Sequence, residues 1–334
     1  MKLNYEEIKN ITCGADSVRL EDGEYRFYRF NDGEIEFYKT SPFYTKAFAT
    51  SGIEMNFETD ATALFLKGIA RVAISYRTWY CLEVFSDGER VGTIQNFEGD
   101  ISNDNLFSEF ALGEFERCFD LGEGKKAVRI VLPQFVALSL SEVDLVDATF
   151  VSPKKPDKKM FFYGDSITHG YDAQYPSNKY TTLTARALGV EEYNKAIGGE
   201  VFQPALAAVK SDFEPEYICV AYGTNDCGTD KEAFLKNSEA FYTNLSRNYP
   251  DTRIFALSPI WRLGTDKECK VGSFFDIEPQ IKKVAESLPN VAFVSGFDFV
   301  PHDVEYFYDR HLHPSDKGFE LYAKNLVAAI KKYF

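Results

Sequence analysis

Between about residues 10 and 150, apolar and polar positions alternate in short runs. Tyr25-Arg26-Phe27-Tyr28-Arg29-Phe30 leads into Asn31-Asp32-Gly33 and then Ile35-Glu36-Phe37-Tyr38. Period two on either side of Asn, Asp and Gly predicts two paired strands, a hairpin. The same pattern predicts strands at 63–66, 72–76, 79–85 (closed by the turn pair Asp87-Gly88), 127–132 and 143–150. Short strands at this spacing, with no long helical period among them, predict an all-β sandwich. Beyond residue 160 the pattern changes. Apolar strands at 160–163, 217–221, 254–257 and 291–294 alternate with amphipathic segments at about 179–188, 203–211, 230–247, 276–287 and 316–333. Strands alternating with helices imply right-handed crossovers and a parallel sheet, hence an α/β domain. Between the two regimes, Val151-Ser152-Pro153-Lys154-Lys155-Pro156-Asp157-Lys158-Lys159 has no apolar period and reads as an exposed linker. The expected division is therefore 1–152 and 159–334.

Composition narrows the function more than the fold. At 334 residues the chain exceeds what one core usually spans, in keeping with two domains. A net charge of −14 repels phosphate backbones and anionic headgroups, so neither nucleic acid nor a membrane is an expected partner. The aromatic content, 30 Phe and 20 Tyr, favours sheet faces over helical bundles. The start, Met1-Lys2-Leu3-Asn4-Tyr5-Glu6-Glu7, lacks the basic-then-apolar plan of a signal peptide, and the expected location is the cytoplasm. There the six cysteines, none spaced Cys-x-x-Cys, are expected as free thiols with no structural zinc. Only four histidines are present, at 169, 302, 311 and 313, so imidazole chemistry has few candidates.

In open parallel sheets, reactive groups collect beyond the carboxyl ends of the strands. Directly after the first α/β strand comes Gly164-Asp165-Ser166-Ile167-Thr168-His169-Gly170, which makes Ser166 the candidate nucleophile; a helix cap at Asp165 or Ser166 is the plainer alternative. Asn194-Lys195-Ala196-Ile197-Gly198-Gly199 ends a short strand in two glycines, fit either for close approach of a backbone N–H to substrate or for a tight turn. Tyr222-Gly223-Thr224-Asn225-Asp226 closes another strand, and an amide there can donate to an oxyanion. Before the last helix, Tyr308-Asp309-Arg310-His311-Leu312-His313-Pro314 offers an imidazole able to take the serine proton. The two histidines could instead ligate a metal, but no third histidine or cysteine cluster accompanies them, so neither metal nor cofactor is expected.

Taken together, Gly164-Asp165-Ser166, Gly199 five residues after Asn194, Gly223-Thr224-Asn225-Asp226 and His313-Pro314 resemble the four blocks of the SGNH hydrolases, the GDSL esterase and lipase superfamily. The resemblance covers about residues 159 to 334. It implies a flavodoxin-like three-layer α/β/α domain, Ser166 as nucleophile, His313 as general base, and an oxyanion hole from the Ser166 and Gly199 N–H groups and the Asn225 side chain. One departure concerns the orienting carboxylate, which the family places three residues before the histidine, where this chain has Arg310. Either the loop holds one extra residue and Asp309 orients His313, the working expectation, or a Ser-His dyad operates, with His311 as base a third reading.

A β-sandwich (jelly-roll-like) domain ahead of an SGNH domain is similar to two-domain carbohydrate esterases. That implies acyl groups, most often acetyl, removed from sugar hydroxyls of a small-molecule or oligosaccharide substrate. Asp165 and Trp261, on the expected rim, are candidate substrate contacts, and packing is the alternative for Trp261. The rivals are a lipase or thioesterase for longer acyl chains and a non-catalytic carbohydrate-binding protein. The sequence leaves a homo-oligomer open.

Overall fold

Side chains along the early strands are buried by turns, as a two-residue period requires. The computed structural model describes residues 1–334 and resolves into two units, one formed by 1–31, 42–157 and 174–177, the other by 32–41, 158–173 and 178–334. The first begins with α1 (Tyr5–Ile11), where Asn4 and Glu7 cap each other reciprocally. Its strands are β1 (Thr12–Cys13), β2 (Ser17–Glu21), β3 (Glu24–Tyr28), β4 (Glu54–Thr59), β5 (Ala63–Val72), β6 (Cys81–Ser86), β7 (Glu89–Gln95), β8 (Gly113–Asp120), β9 (Lys126–Val131), β10 (Val136–Val146) and β11 (Val151–Pro153). They form two antiparallel sheets, β1-β4-β9-β6-β7 with β11 on β4, and β2-β3-β10-β5-β8. Phe57 and Ile130 of the first sheet and Leu64, Leu66 and Leu140 of the second belong to one apolar core. Phe27, Phe30, Phe57, Trp79 and Tyr80 are buried aromatics of this unit.

Three sequence expectations change here. Residues 35–38 are not the second strand of a hairpin but part of α2 (Asp32–Tyr38), which groups with the second unit. Its buried face is Glu34 and Tyr38, an i, i+4 pair, and the Glu34 carboxylate meets the buried Lys195 ammonium at 2.6 Å. A buried glutamate is invisible to an apolar period. Residues 73–76 are loop, because β5 runs unbroken from Ala63 and ends at the exposed Val72. The lysine-rich linker starts as an edge strand, β11, hydrogen-bonded to β4.

The second unit continues with β12 (Lys158–Gly164), α3 (Ser166–His169), α4 (Tyr180–Leu188), β13 (Val190–Asn194), α5 (Pro204–Ala207), β14 (Tyr217–Ala221), α6 (Lys231–Asn248), β15 (Arg253–Leu257), β16 (Glu268–Cys269), β17 (Gly272–Ser273), α7 (Ile277–Glu286), β18 (Val291–Val294) and α8 (Asp316–Ile330). The helix expected over 203–211 is a single turn, because the chain leaves it to donate the Ser211 N–H to the Tyr249 hydroxyl at 2.8 Å. The main sheet is wholly parallel in the order β13-β12-β14-β15-β18, the flavodoxin-like doubly wound arrangement. Met160 and Phe162 of β12 pack in one core with Tyr180 of α4 and Phe319 of α8, while Phe161 and Tyr163 meet Tyr249 and Phe241 on the opposite face. These are the expected three layers. Strand order reverses between β12 and β14, so the loops after both strands open onto the crevice where ligands bind in such sheets.

The cysteine expectation also fails at one pair. Cys227 and Cys269, 42 residues apart in sequence, form a disulfide, while Cys13, Cys81, Cys118 and Cys219 are thiols. Loops bring the pair together in space, which spacing along the chain does not reveal. No helix is long and apolar enough to cross a membrane.

Candidate active site

β12 delivers the chain into Gly164-Asp165-Ser166. Asp165 is the N-cap of α3, accepting the Ile167 N–H at 2.9 Å. It is buried, and burial pushes its carboxyl up to about 6 against that hydrogen bond and the nearby His313. The cap leaves Ser166 as the first residue of α3, with its own N–H unpartnered within the protein.

Across the crevice, the loop before α8 carries the histidine. Tyr308 N–H donates to the His313 carbonyl at 2.8 Å, and Arg310 takes φ +57°, accommodating the one residue by which this loop exceeds the family spacing. Within that turn, Asp309 Oδ1 accepts the N–H groups of His311, Leu312 and His313 at 2.9, 2.7 and 3.1 Å. Its other oxygen, Oδ2, lies 2.8 Å from His313 Nδ1, and His313 Nε2 lies 2.8 Å from Ser166 Oγ. Sequence reasoning missed a second carboxylate. Asp172, fully buried and at φ +69°, places Oδ2 3.3 Å from the same Nδ1. An acid six residues beyond Ser166 in the serine's own loop was the available signal, but the backbone turn that aims it was not.

Burial works against a charged imidazole, yet Asp172 and then Asp309 outweigh it and push His313 up to about 9. Burial likewise opposes ionisation of Asp309, but the His313 hydrogen bond and charge hold its carboxyl well below the usual range. Asp172, Asp309 and His313 offer ligand atoms within 4.8 Å of one another, the grouping that could hold a cation. Their separations of 2.8 and 3.3 Å from Nδ1 also suit an N–H shared between two carboxylates, and a cation would have to replace that proton.

The glycine loop is tied to β12 by Lys195 N–H to Phe162 O at 2.8 Å and Ile197 N–H to Gly164 O at 3.1 Å. Tyr171, whose ring lies 5.4 Å from that of His313, packs so closely on Gly198 that a Cβ there would sit 2.4 Å from the ring. Gly199 follows at φ +92° with an unpartnered N–H. Asn225, beyond β14, donates one amide hydrogen to Glu200 O at 3.0 Å, and the other has no partner within the protein. Asp226 receives the Phe202 N–H at 3.3 Å, a second tie between these loops, and burial pushes its carboxyl up to about 7. Burial, and then the nearby Glu200, raise the phenol of Tyr38 on α2 well above its ordinary value. Trp261 stacks on His302 at 5.4 Å and meets Phe307 edge-on at 5.5 Å, so its ring supports the segment leading to the histidine loop. His302 itself is a half-exposed loop residue paired with Asp298, and His311 faces solvent.

A doubly wound parallel sheet whose rim carries serine, glycine, asparagine and histidine loops defines an SGNH-type α/β hydrolase domain. Residues 162–321 match the GDSL-like Lipase/Acylhydrolase family, and this part of the chain is a GDSL-like lipase/acylhydrolase domain. The protein is accordingly an acylhydrolase-type enzyme. Solved structures agree in fold. The salicylyl-acyltransferase SsfX3 from a tetracycline biosynthetic pathway superposes with a TM-score of 0.83 at 22% identity, over 100% of this chain and 97% of that one. A family two carbohydrate esterase from Clostridium thermocellum, in complex with cellohexaose, gives 0.65 at 19% identity over 85% and 93%. The acetyl xylan esterase Est2A of the rumen bacterium Butyrivibrio proteoclasticus gives 0.62 at 18% identity over 85% and 91%. No curated protein matches the chain in sequence.

Proposed function

We propose that the protein is a serine esterase that removes acyl groups, acetyl foremost, from carbohydrate hydroxyls. The observation that carries this reading is the continuous line Ser166 Oγ to His313 Nε2 and His313 Nδ1 to Asp309 Oδ2, both 2.8 Å. Ser166 attacks the ester carbonyl while neutral His313 takes its proton. The tetrahedral oxyanion is met by the Ser166 and Gly199 N–H groups and the free Asn225 amide hydrogen. Imidazolium then protonates the departing alcohol, leaving an acyl-serine, and water, activated by His313, releases the acid. Asp309, with Asp172 beside it, keeps the Nδ1–H tautomer and stabilises the imidazolium.

Removing one oxyanion donor typically costs about 10²–10³ in rate. Asn225→Ala should lose that much in kcat, with KM far less affected, in steady-state kinetics on an aryl acetate. The pH profile follows from the carboxylate pair. The raised His313 value means that the reactive, neutral imidazole is the minority form below about 9. At pH 7 it is about one molecule in a hundred. The kcat/KM value should therefore climb through neutral pH with its midpoint near pH 9, rather than at histidine's ordinary value of about 6.5. A plateau reached by pH 7 would contradict the two-carboxylate environment.

Carbohydrate as the alcohol is supported by the sugar-ester chemistry named for the Clostridium and Butyrivibrio neighbours. The test is acetate release from a panel of acetylated mono- and oligosaccharides, alongside aryl esters of increasing acyl length. Fastest turnover of acetyl sugars is expected; a rate rising steadily toward long acyl chains would favour the lipase or thioesterase reading. The name of the SsfX3 neighbour raises transfer to another hydroxyl instead of water. Partitioning of the acyl group between water and added alcohol separates the two.

A further inference from the structure

Beside Asn225 opens a pocket of about 690 Å³, bounded by Thr224, Asn225, Arg262, Lys270, Leu312 and the Cys227–Cys269 disulfide. That volume suits a small ligand. Its walls are tied together. Cys269 of the small β16–β17 hairpin is bonded to Cys227, two residues beyond Asn225, and Val271 N–H donates to Cys227 O at 3.4 Å. The Arg262 wall is held on both sides, by Trp261 N–H to Phe297 O at 3.1 Å and Leu263 N–H to His311 O at 2.9 Å, the latter in the histidine loop itself. The pocket is thus rigidly joined to both the asparagine and the histidine loops.

Arg262 is the unusual group in it. The side chain is half-buried and its Nε is fully shielded, yet the guanidinium makes no hydrogen bond or ion pair within the protein. It rests over the Phe274 ring at 5.2 Å and feels the buried Asp165 electrostatically. Guanidinium donors withdrawn from water without acceptors are unfavourable, and their fork geometry matches a carboxylate. Lys270, an exposed residue of the same lining, has no partner either. Glu268, also exposed on the hairpin, is the acid that lines the pocket with them.

We propose that this pocket selects esters bearing a carboxylate, with Arg262 as the residue that binds it through paired N–H donors. The inference rests on the esterase reading and deepens it, since the pocket adjoins the candidate oxyanion donor. It names one chemistry with two possible positions for the carboxylate, on the alcohol part, as in an acetylated uronic acid, or on the acyl part, as in a dicarboxylic half-ester.

Two matched pairs of esters separate these positions. The first is 4-acetoxybenzoate against 4-acetoxybenzamide; the second is monophenyl adipate against its terminal amide. The quantity read is the kcat/KM ratio of carboxylate to amide within a pair. One pair should show a ratio about 10- to 100-fold higher in the wild type than in Arg262→Gln, the range expected of a charge-assisted hydrogen bond at a partly desolvated site. Arg262→Lys should fall between them, since it keeps the charge and loses the fork. Identical ratios in wild type and Arg262→Gln for both pairs, in protein whose Ser166 still reacts with a fluorophosphonate, would overturn the proposal alone and leave Arg262 as a counter-charge for Asp165. Failure of the wild type to cleave any of the four esters or to react with the fluorophosphonate would overturn the esterase reading and this one with it.

Discussion

Ser166→Ala is expected to lower kcat on an acetyl ester by about 10⁴- to 10⁶-fold, the range found when a serine nucleophile is removed from such a catalytic set. The side chain is nearly buried at the start of α3, and its hydroxyl hydrogen bond is to His313, so deleting one oxygen removes the attacking atom while the Asp165 cap and the β12 core remain. The thermal midpoint should accordingly shift by no more than a few degrees. Activity within tenfold of wild type in well-folded Ser166→Ala protein would place the chemistry elsewhere.

The second large effect lies behind the histidine. Asp309 and Asp172 approach the same Nδ1 at 2.8 and 3.3 Å, so either can hold the tautomer when the other is neutralised. Asp309→Asn keeps an oxygen for the three loop amides, and Asp172→Asn changes no volume. Each single variant should therefore lose about 10- to 100-fold, well short of the roughly 10⁴-fold that follows when a sole orienting carboxylate is neutralised. The double variant should fall by about 10⁴-fold or more, beyond the product of the single losses, because no carboxylate then opposes the wrong tautomer or stabilises the imidazolium. Midpoints of the kcat/KM pH profiles should move down from about 9 in each single variant, since each neutralises one of the charges that raise His313. A double variant no worse than Asp309→Asn would remove Asp172 from the account.

The parts of this site that were legible in the sequence share a physical reason. Serine, glycine, asparagine and histidine blocks stand immediately after strands or before a helix, and a parallel sheet gathers those ends on one rim, so one-dimensional pattern becomes three-dimensional proximity. Asp309 was legible as a candidate, but its offset from the usual spacing was resolved only by Arg310 entering the left-handed region. Asp172 depends on a similar turn at its own backbone and on the packing of Tyr171 between Gly198 and His313, neither of which leaves a period in the text. α2 was misread as strand because its buried face is an acid and a tyrosine four residues apart, and the acid is stabilised by a lysine 161 residues away. The Cys227–Cys269 bond was hidden for the same reason: its geometry is decided by where two loops meet.

The most direct measurement of the central claim is stoichiometric reaction with a fluorophosphonate, followed by mass spectrometry of the peptides and parallel assay of ester hydrolysis. One adduct per chain, located on Ser166, formed in step with the loss of activity and suppressed in His313→Ala, is the predicted result. Full inactivation with the adduct on another residue, or hydrolysis that persists once Ser166 is fully modified, would contradict the account.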